Sequence, residues 1–207
     1  MKKVILHLCA DIGSDSRYYQ LDDNYKVIKI GIDVGVENFS AFGDIHGVIA
    51  NPVCTEFSTA GGFDKVGDLK KGMILVDHCL RIIKECNPKW WVLENPKNGR
   101  LKEMLGKPDH SYQPWSYGSP WTKSTALWCG GDFKMPETTV KNRSDTVLRE
   151  GIYIRPRDTM PSLAILHKSA INFMPEYEWA RHLITCDSDL RSLCSDGFAK
   201  AMYEANP

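Results

Sequence analysis

Apolar residues in the first half of the chain form short runs that end at polar or turn-forming residues. Val4–Cys9, Tyr25–Ile32, Gly47–Ala50 and Trp90–Leu93 have the length and the residue types of buried strands. Between the third and fourth runs, apolar residues recur at helical spacing within Lys65–Cys86, which predicts an amphipathic helix. These patterns are typical of an open α/β sheet.

The second half of the chain has a weaker pattern. Asn98–Leu105 predicts a short helix, Thr122–Trp128 a late strand and Leu190–Ala205 an amphipathic C-terminal helix. Residues 132–161 show no periodicity and predict an irregular insertion. With 207 residues and no repeats or linkers, we expect a single domain over 1–207.

The turn after the third strand carries a candidate nucleophile. Asn51-Pro52 ends the apolar run, because proline cannot continue a central strand, and Cys54 follows in the turn. Ligands of open α/β sheets bind at the carboxyl ends of strands, and a thiol there acts as a nucleophile if its pKa is lowered. The alternative is a small, half-buried packing cysteine.

A second stretch repeats this layout. Trp90–Leu93 is apolar and is followed by Glu94, Asn95 and Pro96. If the two strands are neighbours, the Glu94 carboxyl lies beside the Cys54 thiol. The pairing of a thiol with a carboxyl favours catalysis over packing.

Composition excludes several classes of protein. Basic and acidic residues number 26 each, so the net charge of zero argues against a protein that coats nucleic acid non-specifically. Seven scattered cysteines predict reduced thiols in the cytoplasm, and His182, Cys186 and Cys194 match no standard metal spacing. No apolar run is long enough to span a membrane, and Met1–Leu8 is interpreted as a first core strand.

The two stretches resemble the DNA cytosine-5 methyltransferases. These enzymes carry their nucleophile in a Pro-Cys loop followed by Phe-Ser, and their cytosine-binding glutamate in a Glu-Asn motif. Short phage-type members are more similar still, with Asn-Pro-Val-Cys-Thr-Glu-Phe-Ser and Glu-Asn-Pro, as at 51–58 and 94–96. The resemblance implies a class I, Rossmann-like open sheet with a reduced recognition insertion, with Cys54, Glu94 and Asn95 as catalytic residues.

The resemblance also implies S-adenosylmethionine as cofactor. Its site is expected in the turn after the first strand, at Asp33 after the second strand, and at Pro52. The family pattern Phe-x-Gly-x-Gly is altered in that first turn, where Cys9, Asp11 and Gly13 take the three defined places. The strand that usually supplies an adenine-side acid is expected to be reduced or absent, and neither Glu37 nor Asp44 is assigned to that role. The first-turn residues expected to bind the cofactor are Asp11, Ile12, Gly13 and Ser14.

DNA, as a duplex with a flipped cytosine, is the implied substrate, in the cytoplasm of a bacterial or phage-infected cell and without metal or membrane. The oligomeric state is left open. Lys134–Arg157 has a net charge of +3 and follows the late strand, where larger relatives insert a recognition region. The aromatic residues of 109–131 are expected to be mostly core, the alternative being a wall for an unstacked base. The predicted substrate-binding residues are Ser58, Lys123, Thr125, Arg155 and Arg157.

Three alternatives remain open. The same chemistry could serve RNA or a free pyrimidine nucleotide, because the region available for recognition is small. For a degenerate nucleic-acid-binding domain, the altered first turn and Ser124, which replaces an arginine of short relatives, are arguments in favour, whereas the presence of Cys54 together with Glu94 argues against it. An unrelated thiol enzyme is disfavoured because neither core stretch contains a histidine. The glycine-rich run Thr59–Gly62 fits a loop that closes over a substrate and a plain connector equally well.

Overall fold

A six-stranded mixed sheet forms the centre of the protein. The computed structural model describes residues 1–10, 12–40, 42–58 and 67–207. Asp11 and the run Thr59–Gly62 therefore lie outside the described residues. The strand order is β2-β1-β3-β4-β6-β5. The strands are β1 (Lys3–Leu8), β2 (Tyr25–Ile30), β3 (Gly47–Ala50), β4 (Trp90–Pro96), β5 (His110–Tyr112) and β6 (Thr125–Gly131).

The topology confirms the predicted open, Rossmann-like α/β fold. Strands β1 to β4 are parallel, and β6 runs antiparallel between β4 and β5. The chain passes from β1 to the edge strand β2 and then returns across β1 to β3. The carboxyl ends of β1 and β3 thus form a topological switch point, where open α/β sheets bind ligands.

Helices and apolar clusters cover both faces of the sheet. One cluster joins β1, β3 and β4 to the buried residues of α2, and a second packs α5 and the Tyr19 ring against the other face. A third cluster joins Trp121 to residues 152–193. The helices are α1 (Arg17–Leu21), α2 (Leu69–Cys86), α3 (Leu101–Leu105), α4 (Asp187–Ser192) and α5 (Asp196–Ala205).

Several boundaries differ from the sequence expectation. Strand β4 continues through Glu94 and Asn95 to Pro96, because β6 pairs with it along its whole length. Strand β6 starts at Thr125 rather than Thr122, and the three-residue strand β5 was missed. No strand occurs within 31–40 or 42–46, which agrees with the expected loss of the adenine-side strand.

The expected C-terminal helix over Leu190–Ala205 is wrong in one respect, because it is two helices. The chain is extended between α4 and α5, and Cys194 there donates its backbone N–H to Ser14 Oγ at 3.0 Å. Ser195 then caps α5 by accepting from the Phe198 N–H at 3.4 Å. A continuous helix would use the Cys194 N–H internally, so docking on the first turn interrupts it.

Between Trp128 and Leu163 the chain is almost free of regular structure. Within 132–161 the described elements are limited to a 3-10 turn, Arg143–Asp145. The following residues, 163–183, form short 3-10 segments that pack into the third apolar cluster. The irregular region beyond the sheet therefore extends past residue 161.

Candidate active site

The site is built from the ends of three adjacent parallel strands. Leu8, Ala50 and Leu93 lie side by side in the register of β1, β3 and β4. The residues that follow Ala50 and Leu93 are Asn51 and Glu94, so these two polar side chains reach the same edge of the sheet. The Asn51 N–H continues the ladder by donating to Leu8 O at 3.0 Å.

Cys54 lies at the start of the turn that leaves β3. The 3-10 turn Thr55–Phe57 follows it, and Phe57 N–H donates to Cys54 O at 3.0 Å. Burial raises the pKa of the Cys54 thiol, and the Glu94 charge raises it further, against a smaller lowering by Lys123. In this state the thiol is therefore protonated at neutral pH, and it has a carboxylate and an ammonium within electrostatic range.

The two carboxyl oxygens of Glu94 have different surroundings. Oε2 accepts a hydrogen bond from Asn51 Nδ2 at 3.0 Å, whereas Oε1 lies 3.7 Å from Lys123 Nζ. The side chains of Glu94 and Lys123 are 15% and 17% exposed, so the ion pair is largely removed from solvent. Oε1 is buried and has no hydrogen-bond partner in the part of the chain that the structure describes. Oε1 therefore has hydrogen-bonding capacity that the described residues leave unused.

Lys123 is held in place from outside the sheet. Its ammonium donates to Leu193 O at 3.4 Å, in the extended segment between α4 and α5. Burial acts to lower the pKa of Lys123, but the charges of Glu94 and Asp15 outweigh it, and the net shift is upward. Lys123 is therefore a permanent positive charge beside Glu94.

Asn95 connects the two candidate catalytic stretches. Its Nδ2 donates to Pro52 O at 2.9 Å, and its side chain is 1% exposed. A second connection is the bond from Arg100 N–H to Phe57 O at 2.8 Å. The Cys54 turn is thus fixed to the segment that carries Glu94. Pro52 is buried and takes part through its carbonyl.

The turn between β1 and α1 contains the remaining predicted cofactor residues. Gly13 has φ 78°, a backbone conformation that would strain any residue with a Cβ, and a Cβ there would also lie 2.7 Å from Lys29 Cδ. Lys29 Nζ donates to Ile12 O at 3.4 Å, and the Ser14 hydroxyl is engaged by the Cys194 N–H. Asp11 cannot be placed, because it lies outside the described residues.

Asp33 lies three residues beyond the end of β2 and is exposed. Strands β1 and β2 are adjacent, and Ala10 N–H donates to Ile30 O at 3.3 Å, so the two turns leave the same edge of the sheet. Glu37 and Asp44 are both exposed, and nothing assigns either of them to the adenine side.

The sequence analysis did not identify the polar network behind Glu94. His7 is 1% exposed within β1, and its two ring nitrogens lie 2.8 Å from Ser16 Oγ and 2.7 Å from Asn51 Oδ1. Asp15, 8% exposed, lies 3.4 Å from Asn51 Nδ2. One feature of the sequence could have indicated this network: His7 stands within the apolar run of a central strand, and a polar side chain buried there needs a hydrogen-bond partner.

The predicted substrate-binding residues fall in different places. Lys123 lies in the site, and Ser58 ends the 3-10 turn that follows Cys54. Thr125 is fully buried, with its hydroxyl donated to Lys123 O at 2.9 Å, so it supports the Lys123 turn. Arg155 pairs with Asp158 at 2.6 Å, whereas Arg157 is exposed. The structure does not bring the two arginines into the site.

An aromatic cavity lies at the same edge of the sheet, where β4 ends and β6 begins. It has a volume of about 300 Å³ and is bordered by Lys97, Tyr112, Gln113, Trp115 and Ser124. Tyr112 stacks on Phe198 at 3.8 Å between ring centroids, and Trp121 and Trp128 are buried. Most aromatic residues of 109–131 are thus core, and half-buried Trp115 faces the cavity.

Comparison with known proteins yields partial matches to methyltransferases. No protein-family model matches the chain. It is 32% identical over 114 residues to a "Probable DNA (cytosine-5)-methyltransferase" of Frog virus 3 (isolate Goorha), covering 47% of this chain and 51% of the viral protein. A solved structure of a DNA modification methyltransferase encoded within an E. coli prophage matches with a TM-score of 0.45 and 16% identity, covering 63% of this chain and 47% of that chain.

The chain is therefore a distant homologue of a viral DNA (cytosine-5)-methyltransferase, and the recognition made from the sequence is confirmed at that level. The match spans about half the length of each relative. Within the described ranges, no helix is long and apolar enough to cross a bilayer. The same residues contain no cluster of three side chains suited to a metal ion, and the seven cysteines are free thiols.

The charges around Cys54 predict opposite effects for two substitutions. Glu94→Gln removes a negative charge, lowers the thiol pKa and increases the thiolate fraction, so alkylation of Cys54 by iodoacetamide at pH 8 should accelerate. Lys123→Met removes the opposing positive charge and should slow it. A shift of one pKa unit changes the thiolate fraction about tenfold. Mass spectrometry of the Cys54 peptide measures the rates, with exposed Cys186 as internal control. If both substitutions changed the alkylation rate of Cys54 in the same direction, the proposed opposing effects of Glu94 and Lys123 on the thiol would be contradicted.

Proposed function

We propose that the protein transfers a methyl group from S-adenosylmethionine to carbon 5 of cytosine in DNA, through a covalent adduct with Cys54. The observation that carries the proposal is the convergence of the Cys54 turn and the Glu94–Lys123 pair at the switch point of a Rossmann-like sheet. The distant homology to the viral enzyme supports the same reaction class.

Cys54 supplies the nucleophile in this proposal. Carbon 5 of cytosine is too weak a nucleophile to take a methyl group unaided. Addition of the thiolate at carbon 6 forms a sulfur–carbon bond and converts the ring into an enamine-like nucleophile. After methylation, loss of the carbon 5 proton and expulsion of the thiolate restore the ring. Because burial and Glu94 raise the thiol pKa, deprotonation is expected to accompany base binding.

Glu94 and Lys123 act together on the base. A proton at ring nitrogen 3 stabilises the carbon 6 adduct, so Glu94 must donate there. Lys123 Nζ lies 3.7 Å from Glu94 Oε1, and against the effect of burial the charges of Glu94 and Asp15 raise the pKa of Lys123, so the ammonium keeps its proton in the unliganded protein. We therefore assign the acid role to Glu94 and Lys123 together, with the ammonium as the neighbouring proton source. Oε1 of Glu94, which has no hydrogen-bond partner among the described residues, is the oxygen we assign to the base.

The residues at the first turn fit the cofactor in outline. S-adenosylmethionine supplies an electrophilic methyl group on a sulfonium when it is bound. The glycine turn brings backbone groups to the switch point, and the exposed Asp33 carboxylate in the adjacent turn would accept hydrogen bonds from ribose hydroxyls. Lys29 brings a positive charge to Ile12 that suits a carboxylate end. We therefore retain Ile12, Gly13, Ser14, Asp33 and Pro52 as proposed cofactor contacts, together with Asp11.

DNA is the proposed partner, with the cytosine flipped from the duplex or already unpaired, since carbon 6 is hidden in the stack. Arg157 and Ser58 stay proposed substrate contacts, whereas Arg155 is expected to contribute less because Asp158 neutralises it. A free pyrimidine nucleotide is the second candidate substrate. This candidate is favoured by the ion pair between Arg149 and Glu176, at 2.6 Å. The pair neutralises a further positive charge of the insertion, and so leaves fewer free charges to bind the phosphates of DNA.

A mechanism-based trap tests the covalent step. DNA that carries 5-fluorocytosine should form an irreversible complex with the protein in the presence of S-adenosylmethionine, because fluorine cannot leave as the proton does. Cys54→Ser should abolish the complex, and Glu94→Gln should slow its formation by about 10²- to 10⁴-fold. Denaturing gels measure the product over time.

Cys186→Ser is the matched control, because Cys186 is an exposed thiol remote from the site in sequence, and it should trap at the normal rate. Equal trapping by Cys54→Ala would remove Cys54 as nucleophile. Saturable binding of cofactor and DNA without trapping would favour the non-catalytic binding domain.

Salt dependence tests the DNA contact. Each neutralised phosphate adds about one unit to the slope of log affinity against log salt concentration. Arg157→Gln should weaken DNA binding and reduce this slope by about one, and Arg155→Gln should do so less. Fluorescence anisotropy at several salt concentrations measures both quantities, and Lys84→Gln, at an exposed lysine on α2, is the control. An unchanged slope in Arg157→Gln would exclude that contact and favour a free nucleotide.

A further inference from the structure

The buried polar network behind Glu94 leads from the first turn to the proposed base site. It consists of Ser16, His7, Asn51 and the two carboxylates Asp15 and Glu94. The His7 ring lies 2.8 Å from Ser16 Oγ on one side and 2.7 Å from Asn51 Oδ1 on the other. Strand β1 thus carries a continuous side-chain connection between the turn at Gly13 and the end of β4.

The chemistry of the Asn51 side chain fixes its orientation. Asp15 Oδ1 and Glu94 Oε2 lie 3.4 and 3.0 Å from one end of the Asn51 amide. Ionised carboxylates only accept hydrogen bonds, so that end must be the NH₂ group, which has two protons for two acceptors. The Asn51 carbonyl oxygen therefore faces His7.

The orientation of Asn51 in turn fixes the proton on His7. Asn51 Oδ1 is an acceptor, so His7 Nε2 must carry the hydrogen of their contact. His7 Nδ1 then lies 2.8 Å from the Ser16 hydroxyl, which has one proton for this nitrogen and for Gly13 O at 3.3 Å, while its oxygen accepts from Gln20 Nε2 at 2.9 Å. The contacts with Asp15, Glu94 and His7 together hold the Asn51 amide in a single arrangement.

Resting on the proposed methyl transfer, we propose that Asn51 is a positioning residue for Glu94 and that His7 is the positioning residue for Asn51. The Asn51 amide holds Glu94 Oε2, so that the remaining oxygen, Oε1, faces Lys123 and the base. The amide also separates two buried carboxylates that would otherwise repel each other. Through Ser16, the arrangement of the first turn sets the direction of the Glu94 carboxyl.

The contact is testable without any reaction. In ¹⁵N-labelled protein, the side-chain NH₂ signals of Asn51, assigned by their loss in Asn51→Asp, should be protected from exchange with water. They should move in Glu94→Gln, which replaces the charged acceptor, and in His7→Gln. Asn24→Ala, in an exposed turn, should leave them in place. Fast exchange, together with no shift in Glu94→Gln, would overturn the proposal whether or not the protein methylates DNA.

Kinetics then test the positioning role. Asn51→Ala should slow 5-fluorocytosine trapping about 10- to 100-fold, the loss of one charge-assisted hydrogen bond, with little change in DNA or cofactor affinity. In a Glu94→Gln background the same substitution should have almost no further effect, because the two residues act through one another. Fully additive effects in this cycle would overturn the proposal.

Variants at His7 separate positioning from packing. His7→Gln keeps a donor for Asn51 Oδ1 and should trap faster than His7→Leu, which is apolar and leaves that oxygen unpaired. Circular dichroism and urea unfolding identify any variant that does not fold. Equal trapping rates in two folded His7 variants would show that its hydrogen bond does not matter and would overturn its assigned role.

Discussion

Everything at the candidate site depends on how a buried carboxylate is held at the end of β4. Glu94 is 15% exposed, and removing a carboxylate from water is costly unless it is paired and hydrogen-bonded. Lys123 supplies the charge and Asn51 supplies the hydrogen bond. Such buried pairs contribute little net stability, so the Glu94–Lys123 pair is weak evidence for a role in folding.

Three separate parts of the chain must meet to provide this environment. The sheet register places Asn51 beside Glu94, because β3 and β4 are parallel neighbours that end at the same level. Lys123 comes just before the antiparallel strand β6, which starts at Thr125 opposite Pro96, and so lies at the same edge of the sheet. The segment between α4 and α5 then closes the site, with Leu193 O accepting from Lys123 and the Cys194 N–H donating to Ser14. The segment between α4 and α5, where the C-terminal helix is interrupted, thus contacts both Lys123 and the turn that follows β1.

The sequence predicted what depends on local pattern. Strand β3 was placed without error, and the pairing of the Cys54 turn with the Glu94 stretch followed from two apolar runs of equal layout. The absence of a strand between β2 and β3 within the described residues agrees with the prediction made from the short stretch 34–47. These features could be predicted because strands that are buried on both faces appear in the sequence as continuous apolar runs, and turn residues mark where each run ends.

The rest depends on contacts between residues far apart in the chain, which no local pattern encodes. His7 and Asn51 are 44 positions apart, and Lys123 meets Leu193 across 70 positions. The break at Cys194 is caused by a hydrogen bond to residue 14, so the amphipathic pattern around it could not show it. The neutralisation of Arg155 and Arg149 by Asp158 and Glu176 likewise needed the fold.

Tritium transfer from labelled S-adenosylmethionine tests the central claim most directly. Duplex DNA, single-stranded DNA, RNA and dCMP are compared in parallel, with the Cys54→Ser protein as the blank. The account predicts label at carbon 5 of cytosine in DNA, dependent on both Cys54 and Glu94. Label in dCMP or RNA alone would contradict the proposed substrate, and no label in any of the four, from a protein that binds the cofactor, would contradict the proposed methyl transfer.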